Sequence, residues 1–293
     1  MGPRLVLRWY ALGAPYAWFG FATRFEDSDE FVGAEFFREF AQRVHAVIMG
    51  KGTDTGLIDS FDSLASDRFD PSKVHPIIRD FYEHTSRFDL DFTIRWNPII
   101  RPLGALYDIL IARRLQQLVI PLDNELLSGL DSWLELIDLE NDGRADFRCW
   151  IRVAKDSRVP VYVGAYKTYK SMIDEVDTSY VSVAFPLPGG NLTTVLTPLN
   201  LDRDGLMLTT RDTLSTETGV YLIFPHEKSF SMAPALGLSE QFQLRPTADG
   251  NGVDVVHDCF WFGMSAFQMR YKITTMQPRE QTIAEALSQA AEY

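Results

Sequence analysis

Apolar positions recur at three- and four-residue spacings in the first half of the chain and at two-residue spacing in the second. From Phe31 to Met49, the residues Phe36, Phe37, Phe40, Val44, Val47 and Ile48 form one stripe, which predicts an amphipathic helix stopped by Gly50 and Gly52. His45 falls within that stripe and reads as a packed core residue. A second helix opens at Pro71 or Ser72 and carries Val74, Ile77, Ile78, Phe81 and Tyr82. A third begins at Pro102 and carries Leu106, Ile109, Leu110 and Leu115 toward a stop at Pro121. Between the last two, Leu90, Phe92, Ile94 and Trp96 alternate as a strand does.

Near residue 140 the period changes to two. Short strands are predicted at Phe147–Val153, Val161–Tyr169, Ser179–Phe185, Leu192–Leu196, Leu206–Arg211, Gly219–Phe224, Gln241–Leu244, Val253–Phe262 and Ser265–Thr274. The breaks between them are strong turn signals: Asn141-Asp142-Gly143, Pro188-Gly189-Gly190-Asn191, Asp204-Gly205 and Asp249-Gly250-Asn251-Gly252. No strand–helix–strand alternation is present, which excludes Rossmann and TIM architectures. The reading is an α+β protein. A mainly helical part over 1–140 packs on an antiparallel β-barrel or strongly curved sheet over 141–293, the two forming one integrated domain. The strand-rich half has a general likeness to lipocalin-type ligand-binding barrels, in architecture and without a shared motif. That likeness implies an interior able to hold one small lipophilic molecule. In Val253–Phe262 neither face is plainly polar, so that strand is expected to be covered on both sides.

Composition sharpens this picture at one point. Among 293 residues there are 20 Phe, 11 Tyr and 6 Trp, enough rings to fill a large core and still line a cavity. The formal charge of −12, with no Lys/Arg-rich run, argues against a nucleic-acid partner. Cys149 and Cys259 cannot build a disulfide framework and suggest a reducing compartment, or simply two buried thiols. The apolar run from Trp9 to Ala22 contains Pro15 and bulky rings, and Arg24, Glu26 and Asp27 follow it at once. It reads as a buried or interfacial segment rather than a signal peptide, and no stretch is long enough for a transmembrane helix. The expected location is the cytoplasm. Arg113 and Arg114, set inside an apolar pattern, either face solvent or form a docking face for a membrane surface or an acidic ligand.

The chemistry is less explicit. There is no phosphate loop, dinucleotide fingerprint, nucleophile elbow or zinc-protease motif, and no paired-cysteine spacing, so no metal and no cofactor is expected. Gly50 to Gly56 is glycine-rich, but it follows a helix and reads as a loop. The segment His75 to His84 is the densest polar cluster, with His75/Arg79 and Asp80/His84 at helical i,i+4 spacing. It fits a domain-anchoring ion-pair face better than a catalytic patch. The remaining candidates are polar groups set among aromatics in strands. Tyr166, Arg211 and His257 are the candidate catalytic residues. Tyr162, Tyr180, Tyr221, Trp150, Trp261 and Gln268 are the candidate ligand contacts. Asp258, next to His257 in the strand, points to the opposite face and cannot partner it. These features suit a cofactor-independent cyclase or isomerase acting on a lipophilic, polyketide-like intermediate, or a non-catalytic carrier of such a molecule.

Overall fold

The alternating segments pair into one antiparallel sheet. The structure, a computed structural model, describes residues 12–15, 32–49, 54–122, 130–155, 158–173, 175–215, 217–226 and 229–276. Fourteen strands lie among them: β1 (Leu12–Pro15), β2 (Val47–Met49), β3 (Phe88–Trp96), β4 (Leu130–Asp138), β5 (Phe147–Ala154), β6 (Pro160–Ile173), β7 (Val176–Leu187), β8 (Gly190–Leu201), β9 (Gly205–Thr209), β10 (Gly219–Pro225), β11 (Ser229–Pro234), β12 (Leu238–Pro246), β13 (Gly252–Trp261) and β14 (Met264–Thr275). The main path runs β2-β4-β5-β6-β7-β8-β9-β12-β13-β14-β3, and β8 also pairs with β10, which leads through β11 to β1. The sheet is not closed into a barrel, because the strands at its two ends, β2 and β3, do not pair with each other. Strands β2, β3 and β4 precede residue 140 and join the same sheet as the second half of the chain. Glycines take positive φ in three of the predicted turns, at Gly143, Gly189 and Gly250, where a Cβ would be strained.

The two faces of the sheet are buried by different helical segments. Helix α1 (Phe36–Val44) lays Phe36, Phe37 and Phe40 over Ile137, Phe147, Cys149, Ile151, Val153 and Val163. It is shorter than its apolar stripe predicts. His45 closes it with a left-handed φ of 57°, its N–H returning to Ala41 and Gln42, and the ring is exposed rather than packed in the core. Val47 to Met49 then continue as β2.

Residues 57–88, including α2 (Pro76–Glu83), fill part of the opposite face. Phe61, Phe69, Ile78, Phe81 and Tyr82 pack there with Trp150, Leu206, Leu244 and Val255. His75 caps α2 through its ring, Nδ1 accepting from the Ile77 N–H. Arg79 pairs with Asp62, and His84 and Arg87 pair with Asp54. The polar cluster from His75 to His84 thus ties the preceding loop to the helix. On β13 the outward residues are not covered as expected: Asp254 is exposed and Asp258 half-buried, while Val253, Val255 and His257 face the core. Of the apolar run from Trp9 to Ala22, only 12–15 lies among the described residues, as β1 paired with β11. In the glycine-rich stretch, 50–53 lies outside them.

A third helical stretch spans one end of this face: α3 (Arg101–Tyr107), a π-helical turn (Asp108–Ala112) and α4 (Arg113–Leu115). Gly104 sits against the Trp96 ring, where an added Cβ would approach to 2.5 Å. At the other end of the stretch, Gln117 occupies the gap where β6 and β7 separate. Its amide exchanges hydrogen bonds with the Val163 backbone and donates to the Pro186 carbonyl.

Phe61 is fully buried and meets the rings of Phe69 at 6.0 Å and Tyr82 at 5.7 Å. Phe61→Ala should therefore cost about 3–5 kcal/mol. In a denaturant titration this appears as a lower midpoint with an unchanged slope.

Candidate functional site

Strand β5 alternates so that Phe147, Cys149, Ile151 and Val153 lie under α1 while Trp150 and Arg152 point to the other face. Arg152 is a charged residue at only 5% exposure. Its guanidinium carbon stands 5.1 Å from the Trp150 ring, 5.6 Å from Phe92 and 6.0 Å from Tyr162. Phe92 belongs to β3, eight places from β5 along the sheet path, so the sheet curves far enough to bring these strands face to face. Arg152 forms no ion pair among the described residues, and its Nη2 is buried without a hydrogen-bond partner. Burial lowers its pKa.

Tyrosines surround this cation. Trp150 stands opposite Gly164 in the β5–β6 register, and the missing side chain leaves room for the Tyr162 ring, 5.7 Å from Trp150. The Tyr162 hydroxyl donates to that of Tyr166 at 2.8 Å, so the Tyr166 proton is free for another acceptor. Burial raises both phenols: Tyr166 is pushed up to about 12, and Tyr162 well above the ordinary value. Tyr271 of β14 is raised for the same reason, with the positive charge of Arg152 opposing the shift.

Beside Tyr271 lies a second group. The register places Glu240 opposite Cys259 and Phe242 opposite His257. His257 Nε2 is 2.8 Å from Glu240 Oε2 and 3.2 Å from Cys259 Sγ, and its Nδ1 is 3.3 Å from the Tyr271 hydroxyl. The Phe242 ring stacks on the imidazole at 3.7 Å. Burial, Glu240 and Asp258 together push the Cys259 thiol well above its usual pKa. These three ligand-type side chains are the group among the described residues that could hold a metal ion.

The sequence-derived candidates divide between this face and elsewhere. Trp150, Tyr162, Tyr166 and His257 converge on it. Trp261 ends the same strand as His257 and packs on Phe262 at 5.4 Å. Arg211 is exposed and lies over the outward Phe260 ring at 4.2 Å. Gln268 donates to Asp258, also on the outward face. Tyr180 and Tyr221 belong to a separate cluster with Ile223 and Phe230, their hydroxyls bound to Ser215 and to backbone carbonyls at 217–218. Arg152, Glu240 and Tyr271 escape the sequence reading. The available signal for Arg152 was its place, with Arg148, on the strand face that carries Trp150.

No family model and no solved structure matches the chain. It is 29% identical over 231 residues to a protein of Bacillus subtilis (strain 168) named "Uncharacterized membrane protein YndJ". The alignment covers 78% of this chain and 40% of that protein, so the chain spans well under half of its relative's length. Among the described residues no helix is long and apolar enough to cross a membrane.

The raised tyrosines fix an alkaline dependence. A phenol that ionises at about 12 in the folded protein, against 10.0 ordinarily, keeps its proton after the unfolded chain has lost it. Its stabilising contribution is complete below pH 10 and disappears as the pH rises through about 12. Denaturant midpoints measured across that interval should fall, and should fall less steeply in Tyr166→Phe.

Proposed function

We propose that the concave face binds a lipophilic small molecule through an anionic or strongly oxygenated group, and that the protein rearranges this molecule as a cyclase or isomerase. One observation carries the reading: the buried Arg152 guanidinium, set among Trp150, Phe92 and Tyr162 with no ion pair among the described residues. A buried charge with no counter-ion costs several kcal/mol. A ligand oxyanion removes that cost, and the rings supply apolar contact for the rest of the molecule. Tyr166, with its proton uncommitted, can donate to an oxygen on which charge develops during bond rearrangement. The substrate class is a polyketide-like or similar oxygenated hydrocarbon. The alternative is carriage of the same kind of molecule without conversion, which the same Arg152 anchor also supports.

We also infer peripheral contact with an anionic membrane surface through the third helical stretch. Ile99, Leu103, Leu106, Ile109, Leu110 and Ile111 are exposed there, Ile99 at 83% and Ile109 at 61%. Exposed Arg101, Arg113 and Arg114 accompany them on a chain of net charge −12. An apolar face edged with arginines suits insertion among anionic headgroups. The relative's name as a membrane protein agrees with this placement. The stretch also adjoins the end of the concave face at Trp96, so a lipophilic ligand could pass from the bilayer to the core.

In ligand-free protein, Arg152→Met should raise stability by about 1–4 kcal/mol, because an unpaired buried charge gives way to an apolar side chain. The same change should abolish binding of a long-chain carboxylate, read by tryptophan quenching. Equal binding by the variant would defeat the anchor role. For a compound that the protein converts, Tyr166→Phe should slow turnover by roughly 100- to 1,000-fold with affinity nearly unchanged. A compound that binds without conversion above background leaves the carrier reading.

Vesicles test the membrane contact. Anionic vesicles should co-sediment the wild-type chain, and the double variant Leu106→Ser/Ile109→Ser should remain in the supernatant. Absence of wild-type binding would sink it.

A further inference from the structure

We propose that Glu240, His257 and Cys259 form a binding site for a borderline divalent metal ion of the zinc class, with its remaining coordination position facing the core lined by Arg152 and the tyrosines. The side chains come from neighbouring strands in a fixed register: His257 and Cys259 share one face of β13 at i,i+2, and Glu240 on β12 stands directly opposite Cys259. Their ligand atoms all lie within 4.8 Å of one another.

The decisive feature is which ring nitrogen they meet. In a nucleophile–histidine–acid relay, the acid orients one nitrogen and the nucleophile uses the other. Here the carboxylate at 2.8 Å and the sulfur at 3.2 Å both converge on Nε2, while Nδ1 faces the Tyr271 hydroxyl at 3.3 Å. That hydroxyl donates to Met269 Sδ, so it is placed to accept from an Nδ1–H. A histidine tied through one nitrogen to an outer acceptor, with its other nitrogen at the meeting point of two anionic ligand types, has the layout of a metal ligand.

The distances are close to those a loaded site requires. Tetrahedral zinc, with bonds near 2.0–2.3 Å, separates nitrogen from oxygen by about 3.4 Å and nitrogen from sulfur by about 3.6 Å. The present 2.8 and 3.2 Å therefore need to open by about 0.6 and 0.4 Å, within the reach of small side-chain rotations. One imidazole, one thiol and one carboxylate favour a borderline ion over magnesium or calcium. Three protein ligands with a position left open is the arrangement of catalytic rather than structural zinc. The residues are distinct from Arg152 and Tyr166, so this assignment stands or falls separately from the ligand reading.

Cobalt(II) is the probe, added to the full chain in reducing buffer after treatment with chelator. One equivalent should produce a thiolate-to-cobalt charge-transfer absorption. The band should persist in Cys149→Ser, whose cysteine lies on the other face of β5 under α1, and disappear in Cys259→Ser. Glu240→Gln should weaken binding at least about tenfold, since even outer partners of a ligand are worth that much. Zinc should also raise the wild-type melting temperature. The chain has two cysteines, so a band retained by Cys149→Ser assigns the thiolate to Cys259 even if Cys259→Ser does not fold. No band at one equivalent, or a band lost in Cys149→Ser and kept in Cys259→Ser, would overturn the site. Carboxylate binding by metal-stripped protein, followed in parallel, reports on Arg152 alone.

Discussion

A positive charge buried with no ion pair among the described residues is the constraint on which the rest of this site depends. Arg152 is buried on a strand whose opposite face is sealed by the phenylalanines of α1, so its side chain cannot turn to solvent there. On its own side it meets the rings of Trp150, Phe92 and Tyr162. Cation–π contacts of this kind return about 0.5–2 kcal/mol each, less than the several kcal/mol of desolvation. The remainder is borne by the apolar packing of residues 57–88 and by the sheet itself.

The sheet's curvature turns this local feature into a site. Arg152 on β5, Tyr162 and Tyr166 on β6, Glu240 on β12, His257 and Cys259 on β13, Tyr271 on β14 and Phe92 on β3 are far apart in sequence and along the sheet path. They approach because the strands bend toward one another. The helical stretch from Arg101 to Leu115 is attached at both ends, through Trp96 on one side and Gln117 on the other. Its outward face is apolar where a surface helix is ordinarily polar.

The sequence by itself determined the strand-rich second half, the turns between strands, and the two helical segments that bury the sheet's faces. Each follows from short-range periodicity and from Gly, Asn and Asp at the turns. It also determined that Asp258 cannot partner His257, since that follows from alternation within one strand. It misread α1, because an apolar stripe cannot show that His45 turns left-handed and that Val47 to Met49 leave the helix for a strand. β4 went unrecognised because Leu134, Glu135, Leu136 and Ile137 do not alternate cleanly: Glu135 is buried beside Arg38 and Trp133. Only the tertiary structure decided that the sheet stays open, that Arg211 and Gln268 face outward, and that Tyr180 and Tyr221 serve a different cluster. It alone brought Glu240, Cys259 and Tyr271 to His257 and left Arg152 without an ion pair among the described residues. Cross-strand register and sheet curvature are sums over many weak contacts between residues distant in sequence, and no local pattern of residues encodes them.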